Sequence, residues 1–410
     1  MTEALDLIFR EATLPGRAGT VDVGVSRRRI AAIEPRIEAD APEVALHGRL
    51  AIAGFVDTHI HLDKACLLGR CGHVHGGLAA AIRAVSAMKQ SFTEDDVYAR
   101  GAQVLDRAIA KGTTRMRTHV EVDPRVGLRG FEAVKALKRD YAWALDLSIC
   151  VFPQEGLTND SGTEELLVAA LDGGADVLGG CPYTDTAPHD QIERLFALAE
   201  RFDVDLDFHL DFDLDPSWTH LDEVCRRTER HRYHGRVTVG HVTKMSACAP
   251  ETFARTAQRL SEAGIAVTAL PATDLYLMGR DHTHNIPRGV TPVHRLAREG
   301  IACSIATNNV LNPFTPFGDA SLLRMANLYA NVAQVEPEAF DLCFDLVTSA
   351  PARLMNLTDY GIAPGHPADI VVLDAGSPAA ALAEIAEPIL GFKNGRQTFA
   401  HAPAQIFRPR

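Results

Sequence analysis

The pattern His59-Ile60-His61, closing an apolar run, places two residues capable of metal chemistry on one side of the chain. Side chains two apart on a strand point the same way, so the two imidazoles can converge on one ion. A third histidine, His209, ends the run Val204-Asp205-Leu206-Asp207-Phe208. Three neutral nitrogens suffice to hold a catalytic ion and leave a position for water whose pKa falls towards neutrality. Taken alone, His-x-His also fits two histidines hydrogen-bonded in a loop or core. Other polar residues fall at the ends of further apolar runs: His119 and Glu121, Gln154, His241 and Asn308.

The elements that must position these residues form an alternation. Eight apolar runs, Phe55–Thr58, Thr114–Val122, Leu147–Phe152, Ala175–Gly180, Leu206–His209, Val237–His241, Ala266–Leu270 and Ala302–Thr307, are separated by amphipathic stretches. One such helix is expected to open at Thr93, with Glu94, Asp95 and Asp96 in its first turn, and to close at Lys111-Gly112. The alternation fits either an open doubly wound sheet or a closed (β/α)8 barrel. Chemistry gathered at the exits of many strands favours the barrel. Short strands separated by turns occupy the first and last fifty residues, with Asn394-Gly395 marking a hairpin. Both ends are therefore expected to pair into one small β-sandwich domain, residues 1–53 plus 360–410, beside a barrel over 54–359.

With 410 residues, 46% of them hydrophobic, the chain can bury a large core. A formal net charge of -12 without a basic run argues against nucleic acid and leaves a small neutral or cationic molecule as the partner. The eight cysteines show no C-x-x-C spacing and read as reduced thiols. The stretch Met1–Asp6 lacks a basic segment before an apolar one, and no apolar stretch is long enough to span a membrane, so a cytoplasmic protein is expected. A homo-oligomer is also expected. A nucleotide-binding Rossmann protein is disfavoured by the absence of a Gly-rich turn after the first strand. The H-x-E and P-C-x-x-C signature of the separate nucleobase deaminase fold is missing as well.

The segment from Gly54 to Lys64, Gly-Phe-Val-Asp-Thr-His-Ile-His-Leu-Asp-Lys, resembles the opening metal motif of the amidohydrolase superfamily. Further segments resemble its cytosine deaminase branch, which includes N-alkylammelide hydrolases. They are Arg117-Thr118-His119-Val120-Glu121-Val122, Phe152-Pro153-Gln154-Glu155-Gly156, the stretch from Gly174 to Gly180, the stretch from Gly240 to Met245, and the stretch from Asp359 to Gly365. The resemblance implies a (β/α)8 barrel with a β-sandwich, one divalent ion such as zinc or iron, and hydrolysis at a carbon bonded to nitrogen. It implies His59, His61 and His209 as metal ligands. His241 would hydrogen-bond the nucleophilic water or the developing oxyanion, and Gln154 would hold the substrate's polar edge. Phe212, Asn309 and Phe314 complete the expected substrate-binding set.

Two positions depart from that pattern. Where the deaminase branch has a proton-shuttling glutamate, three residues past the strand-five histidine, this chain has Phe212; where the superfamily has a strand-eight aspartate, it has Asn308. Asn308 can offer an amide oxygen to an ion but cannot act as a base. Candidate replacement proton carriers are Asp211, Asp213, Asp63 and His241, with Asp211 nearest in sequence to a ligand. The reading is a mononuclear metallohydrolase of a small cyclic nitrogen compound, with His241, Asn308 and Asp211 as the catalytic set. Its rival is a catalytically silent barrel that binds a ligand.

Overall fold

The computed structural model describes residues 4–71, 76–402 and 404–409, so Met1–Glu3 of the N-terminal stretch lies outside the described residues. Strands β1 (Leu7–Thr13), β2 (Thr20–Ser26), β3 (Arg29–Glu34), β4 (Glu43–Ala45) and β5 (Leu50–Ile52) come first. Eight strands follow, β6 (Phe55–Ile60), β7 (Thr113–Glu121), β8 (Asp146–Phe152), β9 (Val177–Gly180), β10 (Asp205–Leu210), β11 (Val237–His241), β12 (Ile265–Ala269) and β13 (Cys303–Ile305). β14 (Ile370–Leu373), β15 (Pro388–Lys393) and β16 (Arg396–Ala400) end the chain.

Strands β6 to β13 are hydrogen-bonded in sequence order as one parallel sheet. Their side chains are almost entirely buried, as expected for strands covered by helices outside and packed side chains inside. Backbone bonds between the ends of β6 and the segment after β13 close the ring: Asn308 N–H donates to the His59 carbonyl at 2.7 Å, and His61 N–H donates to the Asn308 carbonyl at 2.8 Å. Inside, the hydroxyls of Thr58, Thr268 and Ser304 form a small hydrogen-bonded layer. The helix anticipated after Thr93 spans Glu94–Ala110, and the Thr93 hydroxyl accepts from Asp96 N–H at 3.2 Å.

The expected β domain is present. Its strands form a single hydrogen-bonded path, β16-β15-β14-β5-β1-β2-β3, with β4 pairing β1, around a core that includes Phe9, Val23, Ile30, Leu46, Val372 and Phe392. Asn394 and Gly395 both adopt positive φ, as a tight two-residue hairpin between twisted strands requires. Buried charges fasten the domain to the base of the barrel: Asp369 accepts from Arg115 at 2.6 Å and from Lys393 at 2.7 Å. The short β5 and the strand ends escape the sequence pattern. β6 runs on to Ile60, so His59 lies within the strand and only His61 follows it.

All eight cysteines are free thiols, five buried and three half-buried. Among the described residues, no helix is long and apolar enough to cross a membrane.

Candidate active site at the barrel mouth

The exits of β6, β10 and β11 and the turn after β13 bring the predicted residues to one rim. His59 and His61 project from the end of β6 and His209 from the end of β10. The His209 Nε2 lies 3.0 Å from the His59 Nε2 and 3.2 Å from the His61 Nε2. Two nitrogens bound to one ion at about 2.1 Å stand about 3.0 Å apart at a right angle and about 3.4 Å at the tetrahedral angle. The observed spacings match a shared cation. Burial, with help from the neighbouring imidazoles, pushes all three well below the usual histidine pKa, so the rings stay neutral as metal ligation requires.

A fourth imidazole belongs to this cluster. His119 of β7 stacks on His59 with ring centroids 3.7 Å apart, and ligand atoms of His59, His119 and His209 lie within 4.8 Å of one another. Neither of its ring nitrogens has a hydrogen-bond partner among the described residues; the Asp207 carboxylate, held by Arg117 at 2.9 Å, is 3.5 Å from Nε2.

Asn308 occupies the turn after β13 with φ of 62°, and both polar atoms of its buried amide lack a partner among the described residues. Burying an unpaired amide is costly. Orphaned donors and acceptors beside three convergent nitrogens fit a site built for a group outside the chain. Asp211, His241 and Val242 share this left-handed backbone, at φ of 48°, 70° and 42°. For a branched residue such as Val242 that conformation is strained, and such strain gathers at functional sites.

His241 ends β11, and its Nδ1 lies 2.6 Å from the buried Asp274 carboxylate, which places the ring proton on Nδ1. Burial pushes the Asp274 carboxyl up while the imidazole opposes the shift. Phe212 stacks on the His241 ring with centroids 3.7 Å apart.

His61, His209, Phe212, His241 and Asn308 line a small, nearly filled cavity of about 10 Å³ with Lys64, Gln154, Tyr183, Thr273, Asn309 and Phe314. Gln154 accepts from Lys64 Nζ at 3.1 Å through Oε1 and offers Nε2 to the Cys181 sulfur at 3.3 Å, so its amide orientation is set. Asn309 accepts from Asn312 at 2.7 Å. Two of its lining residues, Phe212 and Phe314, belong to an apolar cluster with Ala81, Val85, Leu277 and Met278.

Asp211 is not brought to the cavity. Its carboxylate accepts from the Thr219 hydroxyl and from His220 N–H at 3.0 Å, and serves the loop after β10. Asp213 pairs with Lys244 at 3.0 Å, and Asp63 accepts from Glu121 N–H at 2.9 Å. None of the three lines the cavity.

Sequence reasoning missed Lys64, Tyr183 and Asp274. Lys64 carried a signal, standing three residues past His61 in the quoted motif. It also donates to Glu121 at 2.7 Å. Glu121, Asp123 and Glu155 could themselves hold a metal by spacing, but the Lys89 ammonium bonds to all three and fills that role. Burial and the nearby Glu121 charge push the Glu155 carboxyl up to about 7.

A closed barrel with imidazoles gathered at its strand exits defines a hydrolase-type site on this fold. Residues 134–399, more than half of the chain, match the model of the amidohydrolase family, and the chain belongs to that family. Over 408 residues it is 28% identical to the N-isopropylammelide isopropyl amidohydrolase of Pseudomonas sp. (strain ADP), covering 97% of this chain and 98% of that enzyme. It is 29% identical over 328 residues to the pterin deaminase of Rhizobium rhizogenes, covering 78% and 74% of the two chains. The structure of 5-methylcytosine deaminase from Klebsiella pneumoniae liganded with 5-fluorocytosine superposes with a TM-score of 0.94 at 28% identity, covering 98% of this chain and 99% of that one.

Proposed function

We propose that this amidohydrolase cleaves a C–N bond, by deamination or by amide or amidine hydrolysis, in a small cyclic nitrogen compound. The convergence of the His59, His61 and His209 Nε2 atoms beside the unpaired Asn308 amide carries this reading. Those three histidines would hold one divalent ion, zinc or iron, with the Asn308 oxygen available as a further neutral donor. When bound, such an ion supplies Lewis acidity and lowers the pKa of water to near neutrality.

The remaining work falls to the chain. His241, held by Asp274, stabilises charge developing on the attacked carbon's substituent. Gln154, fixed by Lys64, orients the polar edge of the ring, and Phe212 and Phe314, which line the same cavity, flank it. The relatives act on N-isopropylammelide, a pterin and 5-methylcytosine by their names, which supports a nitrogen heterocycle as the substrate class.

A second reading has its own observation. Phe212 and Asn308 remove two acidic groups from the expected set, and general acid-base help supplies about 10²–10⁴ in rate, so a silent, ligand-binding barrel is its alternative. Metal analysis of the purified protein, with a screen of deamination and ring-hydrolysis substrates, tests the first reading. Stoichiometric metal with turnover supports it; metal without turnover across the panel, together with activity appearing in Asn308→Asp, favours the second.

A further inference from the structure

Between the β domain and the barrel lies a groove of about 900 Å³ that the proposed reaction does not use. Leu14, Ile33 and Ile362 line it from the β-domain side, and Leu342 and Phe344 from the barrel side, while Asp341 stands exposed in its lining. Elsewhere, after the edge strand β16, residues 404–409 run without secondary structure. They carry Ile406 and Phe407, which at 81% and 86% exposure are the most exposed large apolar side chains among the described residues. Arg408 follows directly.

Two adjacent bulky apolar residues held in water are unfavourable, and paired exposed apolar groups mark an association surface. In an extended segment, neighbouring side chains point to opposite sides. Ile406 and Phe407 are therefore suited to a groove that offers apolar side chains from both the β domain and the barrel, as this one does. Their basic neighbour complements Asp341 and Asp345, the two carboxylates that outweigh Arg17 in the groove's charged lining.

The geometry points to an exchange between two copies of this chain, in which segment 404–409 of one copy lies in the groove of the other. Ile406 and Phe407 are then buried against the apolar side chains of the β domain and the barrel, and Arg408 faces the Asp341 carboxylate. The reciprocal exchange closes as a two-fold pair, since each copy offers one segment and one groove.

Sedimentation velocity of the full chain at micromolar concentration tests this. The wild type is expected above the mass of a single 44.4 kDa chain, and the Ile406→Asp, Phe407→Asp double variant at that single-chain mass, with an unchanged far-ultraviolet spectrum. From the other side of the contact, Asp341→Arg weakens the assembly by about tenfold, and adding Arg408→Asp restores it. A photo-crosslinking residue in place of Phe407 yields a product of two joined chains. A wild type that sediments as a single chain, a tail variant that keeps the wild-type mass, or a cross-link formed within one chain overturns the proposal.

Discussion

The Nδ1 of His241 and the carboxylate of Asp274 stand 2.6 Å apart, both buried, at the rim of the barrel. The carboxylate accepts a hydrogen bond from the ring Nδ1–H and so selects the tautomer that faces the cavity. Asp274→Asn keeps the shape but can donate to the imidazole, reversing the tautomer. The expected result is a kcat about 10²–10⁴-fold lower, with metal content and KM little changed. Wild-type kcat in the Asp274→Asn variant would show that this pair has no part in turnover.

The four clustered imidazoles have separable roles. His61→Ala and His209→Ala are expected to lose the ion on dialysis. His119→Asn keeps it, because His119 stacks on the His59 ring and supports it; its affinity falls by about 10–100-fold at most. Metal analysis by mass spectrometry distinguishes these outcomes. An ion retained by His61→Ala but stripped from His119→Asn would exchange the two assignments.

Asp369 of the β domain pairs with Arg115 of the barrel strand β7 and with Lys393 of β15, all three buried. Removing the shared carboxylate leaves two buried cations short of a partner. Asp369→Ala therefore destabilises the fold by about 3–5 kcal/mol. Asp146, which also pairs with both cations but is half exposed, contributes about 0–1 kcal/mol. Denaturant unfolding compares the two variants, and equal losses would contradict the difference in burial.

His294 gives a signed pH dependence. Burial, then the Arg298 and Arg295 charges, push its imidazole down to about 4, and the Tyr329 hydroxyl donates to its Nδ1 at 2.6 Å. An unfolded histidine titrates near 6.5. Between these values the unfolded chain binds the extra proton, so stability falls as pH drops from about 6.5 to about 4. His294→Gln should flatten that slope in thermal melts across the window; an unchanged slope would assign acid sensitivity to other groups.

Much of this architecture was legible along the chain. The eight apolar runs correspond to β6 through β13, and Thr93 and Asn394-Gly395 mark a helix start and a hairpin, because strand burial, capping and turn conformation act over a few neighbouring residues. The His59-Ile60-His61 spacing and the neutral residues Phe212 and Asn308 could likewise be read from local pattern and family resemblance. Partnerships across the barrel could not. Asp274 meets His241 from 33 positions away, and Lys64 meets Gln154 from 90. Asp211, adjacent to the strand that carries His209, turns instead to Thr219 and His220 because a left-handed residue redirects the chain there. Composition and spacing determine which side chains are available and which strands present them. Only the closed ring of strands decides which of them meet, since its curvature converts sequence separations of tens to hundreds of residues into hydrogen-bonding distance.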